Sequence, residues 1–160
     1  MKTIEITTSV KVYENLSELP VDFRNLMATA KDARQLAYAP YSDFRVGAAV
    51  ALEDGRVLTG ANQENAAYPM CNCAERVALG NANMEAPHVA ITAMAISVYN
   101  PRKTIAEPAA PCGACRQVIC EQESRQNQPI PLILQGAEGP VYVIESGRDL
   151  LPIGFDKSFL

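Results

Sequence analysis

The sequence predicts an α/β domain in three layers, with a mixed five-stranded sheet between helices. Three observations carry this expectation. An amphipathic helical stripe comes first, a hairpin pattern follows it, and strand and helix patterns then alternate toward the C-terminus.

Residues 1–19 alternate weakly, with Ile4, Ile6, Val10, Val12 and Leu16 among polar residues. They read as an N-terminal extension, either an added strand or surface chain, ahead of a single domain over residues 20–160. From Val21 to Tyr38 the apolar residues Phe23, Leu26, Met27, Ala30, Ala33, Leu36 and Ala37 recur at spacings of three and four, which makes one helical stripe. Pro40 stops it. Phe44–Leu52 and Arg56–Ala61 flank the turn residues Glu53-Asp54-Gly55 and read as a hairpin. Gly47 inside the first run has no side chain to pack, so it marks either a bulge or a close backbone approach to a ligand.

Asn62–Met70 is polar and turn-prone, and Cys73–Met84 then reads as a helix with Ala74, Val77, Ala78 and Ala82 available for packing. Cys73 thus falls near a helix start. Pro87 introduces the strand His88–Tyr99, whose nearly unbroken small and apolar residues suit a central strand buried on both faces. A loop over residues 100–110 leads to a helix from Cys112 to about Arg125. Ile130–Gln135 and Val141–Glu145 read as two more strands, and Arg148–Leu151 starts a last short helix broken by Pro152 and Gly154.

A chain of 160 residues is large enough to bury around two thirds of its unfolded surface without staples. With 48% hydrophobic and 20% charged residues it has ordinary globular composition. The net charge of −4 repels polyanions and argues against a nucleic-acid partner, which needs a basic face. Met1–Tyr13 lacks the apolar core of a signal peptide, and the apolar run Val89–Tyr99 is too short to span a membrane. A cytoplasmic protein with no membrane partner is expected. Five cysteines without an export signal read as thiols and metal ligands.

The chemistry concentrates in Cys71-Asn72-Cys73-Ala74-Glu75-Arg76 and Pro111-Cys112-Gly113-Ala114-Cys115-Arg116-Gln117. Cys112 and Cys115, three apart, share one helix face. With Cys73 brought beside them they offer three thiolates to one tetrahedral zinc per chain. A fourth corner stays open for water. Residues i and i+2 lie roughly 200° apart around a helix, so Glu75 stands off the Cys73 face and reads as an acid and base rather than a ligand. Three thiolates on a divalent cation leave a net charge of about −1, which helix N-termini and Arg76 would offset.

These motifs resemble the zinc deaminase signature of Cys or His, one residue, Glu, and later Pro-Cys-x-x-Cys. More narrowly, the chain resembles the small cytidine deaminases of nucleoside salvage, in the branch with three Cys ligands. The similarity runs from about Tyr38 to Phe155 and includes Tyr38-Ala39-Pro40-Tyr41-Ser42, Phe44-Arg45-Val46-Gly47-Ala48-Ala49, Asn62-Gln63-Glu64-Asn65-Ala66-Ala67-Tyr68 and Leu150-Leu151-Pro152.

The resemblance implies a cytidine-deaminase-like fold and zinc-dependent hydrolytic deamination of cytidine and 2′-deoxycytidine, with Glu75 as proton shuttle. It implies that Phe44 packs on the pyrimidine, that Asn62 and Glu64 hold ribose hydroxyls, and that Tyr68 and Phe155 reach a neighbouring subunit's pocket in a homotetramer. Arg76 would hydrogen-bond toward the zinc thiolates, and Gln117 would lie near the metal loop. Ile153-Gly154-Phe155 departs from the usual spelling of the family's tail. His88, the single histidine, reads as structural. Two rivals stand beside this reading. A blasticidin-type antibiotic nucleoside deaminase shares both metal motifs, but Arg76 and Asn62-x-Glu64 favour salvage. A non-catalytic zinc-stapled module would close the metal with Cys71 as fourth thiolate; its weak point is the single residue between Cys71 and Cys73.

Overall fold

The computed structural model describes all 160 residues, Met1–Leu160. Its strands are β1 (Lys11–Tyr13), β2 (Arg45–Leu52), β3 (Val57–Ala61), β4 (Ile91–Tyr99), β5 (Leu132–Gln135) and β6 (Val141–Ile144); its helices are α1 (Val21–Ala33), α2 (Ala74–Glu85) and α3 (Gly113–Gln126). One sheet contains every strand in the order β1-β6-β5-β4-β2-β3. Only β4 and β5 are parallel neighbours.

Alternation along the strands divides the core into two apolar clusters. Ala48, Val50, Leu52, Met94, Ile96, Leu132 and Leu134 meet Ala74, Ala78 and Leu79 of α2 and Ile119 of α3 on one face. On the other, Ala49, Ala93, Ala95, Ile133, Val141 and Val143 meet Leu26, Met27 and Ala30 of α1. Each large aliphatic side chain buried this way contributes about 1.5–3 kcal/mol. A sheet covered on both faces also explains why β4 has no polar alternation. The helices thus enclose the sheet in an α-β-α arrangement.

Two glycines set how closely helices lie on the sheet. A Cβ on Gly47 would sit 2.1 Å from the Ala30 carbonyl oxygen of α1. Gly47 stays in register with Ala61 and Ser97, and the sheet's irregularity falls between Ala51 and Leu52. So Gly47 marks neither a bulge nor a ligand contact: the backbone that approaches it belongs to α1. On the opposite face a Cβ at Gly60 would meet the backbone of α2 at 2.3 Å from the Ala78 nitrogen.

The sheet has six strands where the sequence predicts five. Val12 pairs with Tyr142, and Tyr13 packs against the α1-side cluster, so part of the extension joins the sheet while residues 1–10 lie on the surface. Three paired residues are too few for alternation to announce. The helix expected to run to Tyr38 ends at Ala33, with a 3-10 turn over Arg34–Leu36. Tyr38 is drawn away because its N–H donates to the Asn62 carbonyl at 3.0 Å and its own carbonyl accepts from the Glu64 N–H at 2.8 Å. β4 starts at Ile91 rather than His88, after a turn in which the Val89 N–H donates to the Ala86 carbonyl.

Replacing Gly60 with alanine should therefore push α2 off β3. We expect a loss of about 3 kcal/mol or more, at the upper end for overpacked sites, measured as a lower midpoint in urea unfolding.

Candidate active site

Strands β3 and β4 are both antiparallel to β2 and hence run the same way, so α2 and α3, which follow them, begin at the same end of the sheet. Cys73 is the N-cap of α2 and Cys112 the N-cap of α3, while Cys115 lies in the first turn of α3. The Cys73 and Cys112 sulfurs are 3.8 Å apart, those of Cys112 and Cys115 3.4 Å, and all three lie within 4.8 Å of one another. A tetrahedral zinc with Zn–S bonds of about 2.3 Å spaces its sulfurs by about 3.8 Å. The donor set fits one such ion.

Unpaired N–H groups and the dipoles of two helices favour thiolate charge at this point. The Cys73 thiol is lowered to about 6, chiefly because the Cys115 thiol hydrogen-bonds to it; Cys112 and Arg76 help, while burial and Glu75 oppose. The same shared proton, with burial, pushes Cys115 up. A bound cation must displace these protons, so metal affinity rises with pH. Cys71 stands outside the cluster: its sulfur accepts the Asn65 N–H at 3.2 Å.

Glu75, in the first turn of α2, is only 5% exposed. Burial raises its pKa, and the Cys115 thiol and Arg76 charge pull it partly back. It faces a cavity of about 430 Å³ that also holds Cys73, Cys112, Phe44, Asn62 and Glu64 on its wall. That volume is typical of a small-molecule site. The polar wall is braced by its own hydrogen bonds. Asn62 accepts the Val46 N–H at 2.7 Å and donates to the Phe44 carbonyl at 2.9 Å. The Glu64 carboxylate accepts from the N–H groups of Tyr41, at 2.8 Å, and Ser42, at 3.3 Å, and from the Ser42 hydroxyl. Burial acts to raise the Glu64 pKa, but these bonds outweigh it and hold it below the usual carboxylate value.

Residues 21–127 match the family model of the cytidine and deoxycytidylate deaminase zinc-binding region. The chain belongs to this deaminase family. It is 40% identical over 143 residues to a cytidine deaminase of Sporosarcina psychrophila, covering 88% of this chain and 96% of that one. A cytidine deaminase of Halalkalibacterium halodurans is 48% identical over 101 residues, 63% of this chain and 72% of its own. Among solved structures, the cytidine deaminase of Burkholderia pseudomallei superposes with a TM-score of 0.71 at 44% identity, covering 82% of this chain and 97% of that one. The family is zinc-dependent and hydrolytic, and the Cys73, Cys112 and Cys115 cluster is where this deaminase can hold one metal ion.

The remaining residues singled out in this deaminase's sequence fall in different places. Tyr68 lies at the cavity rim and is 82% exposed. Phe155 lines a separate surface pocket, 57% exposed, and stacks on Phe159 with centroids 5.4 Å apart. Gln117 donates to the Phe155 carbonyl at 2.9 Å, tying the C-terminal tail to α3. Arg76 makes no side-chain hydrogen bond and acts on the thiols through its charge, while Arg116 donates to the carbonyls of Pro111 and Leu150. No helix is long and apolar enough to cross a membrane.

Sequence reasoning misses Glu123. This carboxylate, 3% exposed, accepts from the N–H groups of Ile130 at 2.7 Å and Gly147 at 2.8 Å and from the Ser146 hydroxyl, and so fixes α3 against two loops. The available signal is spacing, since Cys115, Ile119 and Glu123 follow one another at i+4 along the buried stripe of α3.

With three sulfurs together and Cys71 apart, Cys71→Ser should retain one zinc per chain and Cys73→Ser should lose it. Metal analysis of the two purified variants checks this, and equal loss in both would make Cys71 a ligand.

Proposed function

We propose that this deaminase hydrolyses cytidine and 2′-deoxycytidine to uridine and 2′-deoxyuridine, releasing ammonia, in pyrimidine salvage. The observation that carries this reading is the buried carboxylate of Glu75 beside a three-thiol cluster, at the wall of a cavity shared with Phe44, Asn62 and Glu64. The names of the similar proteins support cytidine as substrate.

Cys73, Cys112 and Cys115 would hold a zinc ion, which when bound would supply a Lewis acid to make water a nucleophile near neutral pH. Glu75 accepts a proton from the attacking water as the oxygen bonds to C4 of cytosine. It then delivers that proton to N3, takes the second proton from the oxygen now bonded to C4 and passes it to the exocyclic amine, so that C4=O forms as the C4–N bond breaks and ammonia leaves. A carboxyl group whose pKa is raised by burial suits both directions of transfer.

Phe44 packs on the ring in this scheme, and Asn62 and Glu64 hold the sugar. Their hydrogen bonds limit what they can hold. Two N–H groups and one hydroxyl already occupy the Glu64 carboxylate, leaving capacity for about one further donor, and Asn62 keeps about one free N–H. A single sugar hydroxyl satisfies both, which is compatible with ribose and deoxyribose alike. Arg76 would donate toward the ligated thiolates, and Gln117 would steady the tail. The exposed Tyr68 and Phe155 are proposed to complete pockets of neighbouring subunits in a homotetramer. Residues 1–19 are then an extension to a domain over residues 20–160, and thiol ligands suit the reducing cytoplasm.

Glu75→Gln should keep fold and zinc but lower kcat about 10²- to 10⁴-fold, because the amide cannot take the proton. Ammonia release from cytidine by the zinc-loaded protein is the assay, and near-normal turnover in the variant would remove Glu75 from the reaction.

The sugar assignment has its own check. A charge-assisted bond of about 1.5–3 kcal/mol from Glu64 predicts that Glu64→Gln costs roughly 10- to 150-fold in kcat/KM for cytidine. Free cytosine lacks the hydroxyl and should be little affected, so the cytidine-to-cytosine ratio should narrow; an unchanged ratio would mean that Glu64 does not bind the sugar.

A further inference from the structure

Four residues around the cavity form a hydrogen-bonded chain, and one of them does not line it. The Ser42 hydroxyl donates to Glu64 while its oxygen accepts the Phe44 N–H at 3.0 Å. The Phe44 carbonyl accepts from Asn62, which in turn accepts the Val46 N–H. Phe44, Asn62 and Glu64 line the cavity, and the exposed Ser42 does not. The turn that presents Ser42 is itself specified: the Asp43 N–H donates to the Ala39 carbonyl at 3.1 Å, and Asp43 takes a left-handed φ of 56°. Asp43 also pairs with Arg102 of the loop that follows β4.

We propose that Ser42 is a positioning residue that sets the separation between the ring-packing Phe44 and the sugar-binding Glu64. The proposal rests on the sugar reading of Glu64 given above. The Ser42 hydroxyl serves both neighbours, because it donates to an anionic oxygen and accepts from an N–H at the same time. Without it the Glu64 carboxylate keeps the N–H groups of Tyr41 and Ser42, both of which bind one of its oxygens, Oε2. Its other oxygen, Oε1, loses its only protein donor and is free to turn toward solvent. The Phe44 N–H loses its acceptor in the same step. The rigid pairing of ring and sugar contacts is then lost, although every group that touches the nucleoside is still present. Geometry of this kind is valuable because binding energy from the remote sugar is used to hold the reacting ring in place.

The test is a double-mutant cycle on the zinc-loaded enzyme with cytidine, using Ser42→Ala, Glu64→Gln and the double variant, with Ser42→Thr as the conservative control. Ser42→Ala should lower kcat/KM about tenfold or more by way of the charge-assisted bond it removes. It should leave zinc content unchanged. In the Glu64→Gln background the same substitution should cost about threefold or less, because the group it positions is already lost. Ser42→Thr keeps the hydroxyl and should recover most of the rate. Additive losses in the cycle, a Ser42→Ala enzyme as fast as the parent, or a threonine variant no better than alanine would overturn the proposal. The two readings separate cleanly: if Glu64→Gln alone leaves cytidine turnover intact, the sugar assignment fails, whereas a large Glu64→Gln effect with no coupling to Ser42 removes only Ser42.

Discussion

The convergence of two helix N-termini on one point is the constraint on which the rest of the structure depends. Three sulfurs within 4.8 Å of one another, with a buried carboxylate next to them, would repel strongly as anions. The N-termini of α2 and α3 supply the opposing field. They meet because β3 and β4 point the same way with antiparallel β2 between them, and the helix that follows each strand, after a connecting loop, begins at that end of the sheet. Small residues let this happen at short range. Gly60 admits the α2 backbone against β3, and Ala74 and Ala78 bury their methyl groups without holding the helix away.

Two buried carboxylates sit in contrasting surroundings. Glu123 is surrounded by donors from Ile130, Ser146 and Gly147, and its oxygens are consumed in joining α3 to the loops that flank β5 and β6. Glu75 is as deeply buried but far less hydrogen-bonded, and its raised pKa follows chiefly from burial. A carboxylate kept short of donors retains the capacity to take and return a proton. The fold therefore surrounds one buried acid with donors and leaves the other with few, its pKa raised by burial.

The cavity wall works in a similar way, through bonds between neighbours rather than through isolated groups. Asn62 and Glu64 spend most of their hydrogen-bonding capacity on the backbone of residues 41–46 and keep a small remainder unspent. Side chains committed in this manner are fixed before anything binds, which lowers the ordering cost of recognition. The bridges from Gln63 to Asn72 and from Tyr38 to Gln63 hold the intervening loop in the same fixed relation to the cluster.

The sequence by itself determined what depends on near neighbours. The i, i+3 spacing of Cys112 and Cys115, the single Cys-x-Glu at the start of the preceding helix, and the order of helix, hairpin and alternating elements are local signals, and each appears in the folded chain close to where the residues place it. Only the tertiary structure decided what depends on contacts between distant segments. Cys71 lies two residues from Cys73, yet its bond to Asn65 takes it out of the cluster. Gly47 is required by α1, seventeen residues away at Ala30, and not by a ligand. The sixth strand exists because Val12 finds Tyr142 across the whole domain, a pairing that no three-residue pattern can encode. Glu123 looks like any polar helix residue until Ile130, Ser146 and Gly147 turn their donors toward it. Spacing along the chain fixes which groups share a helix face, but which donor meets which acceptor is set by how the layers pack.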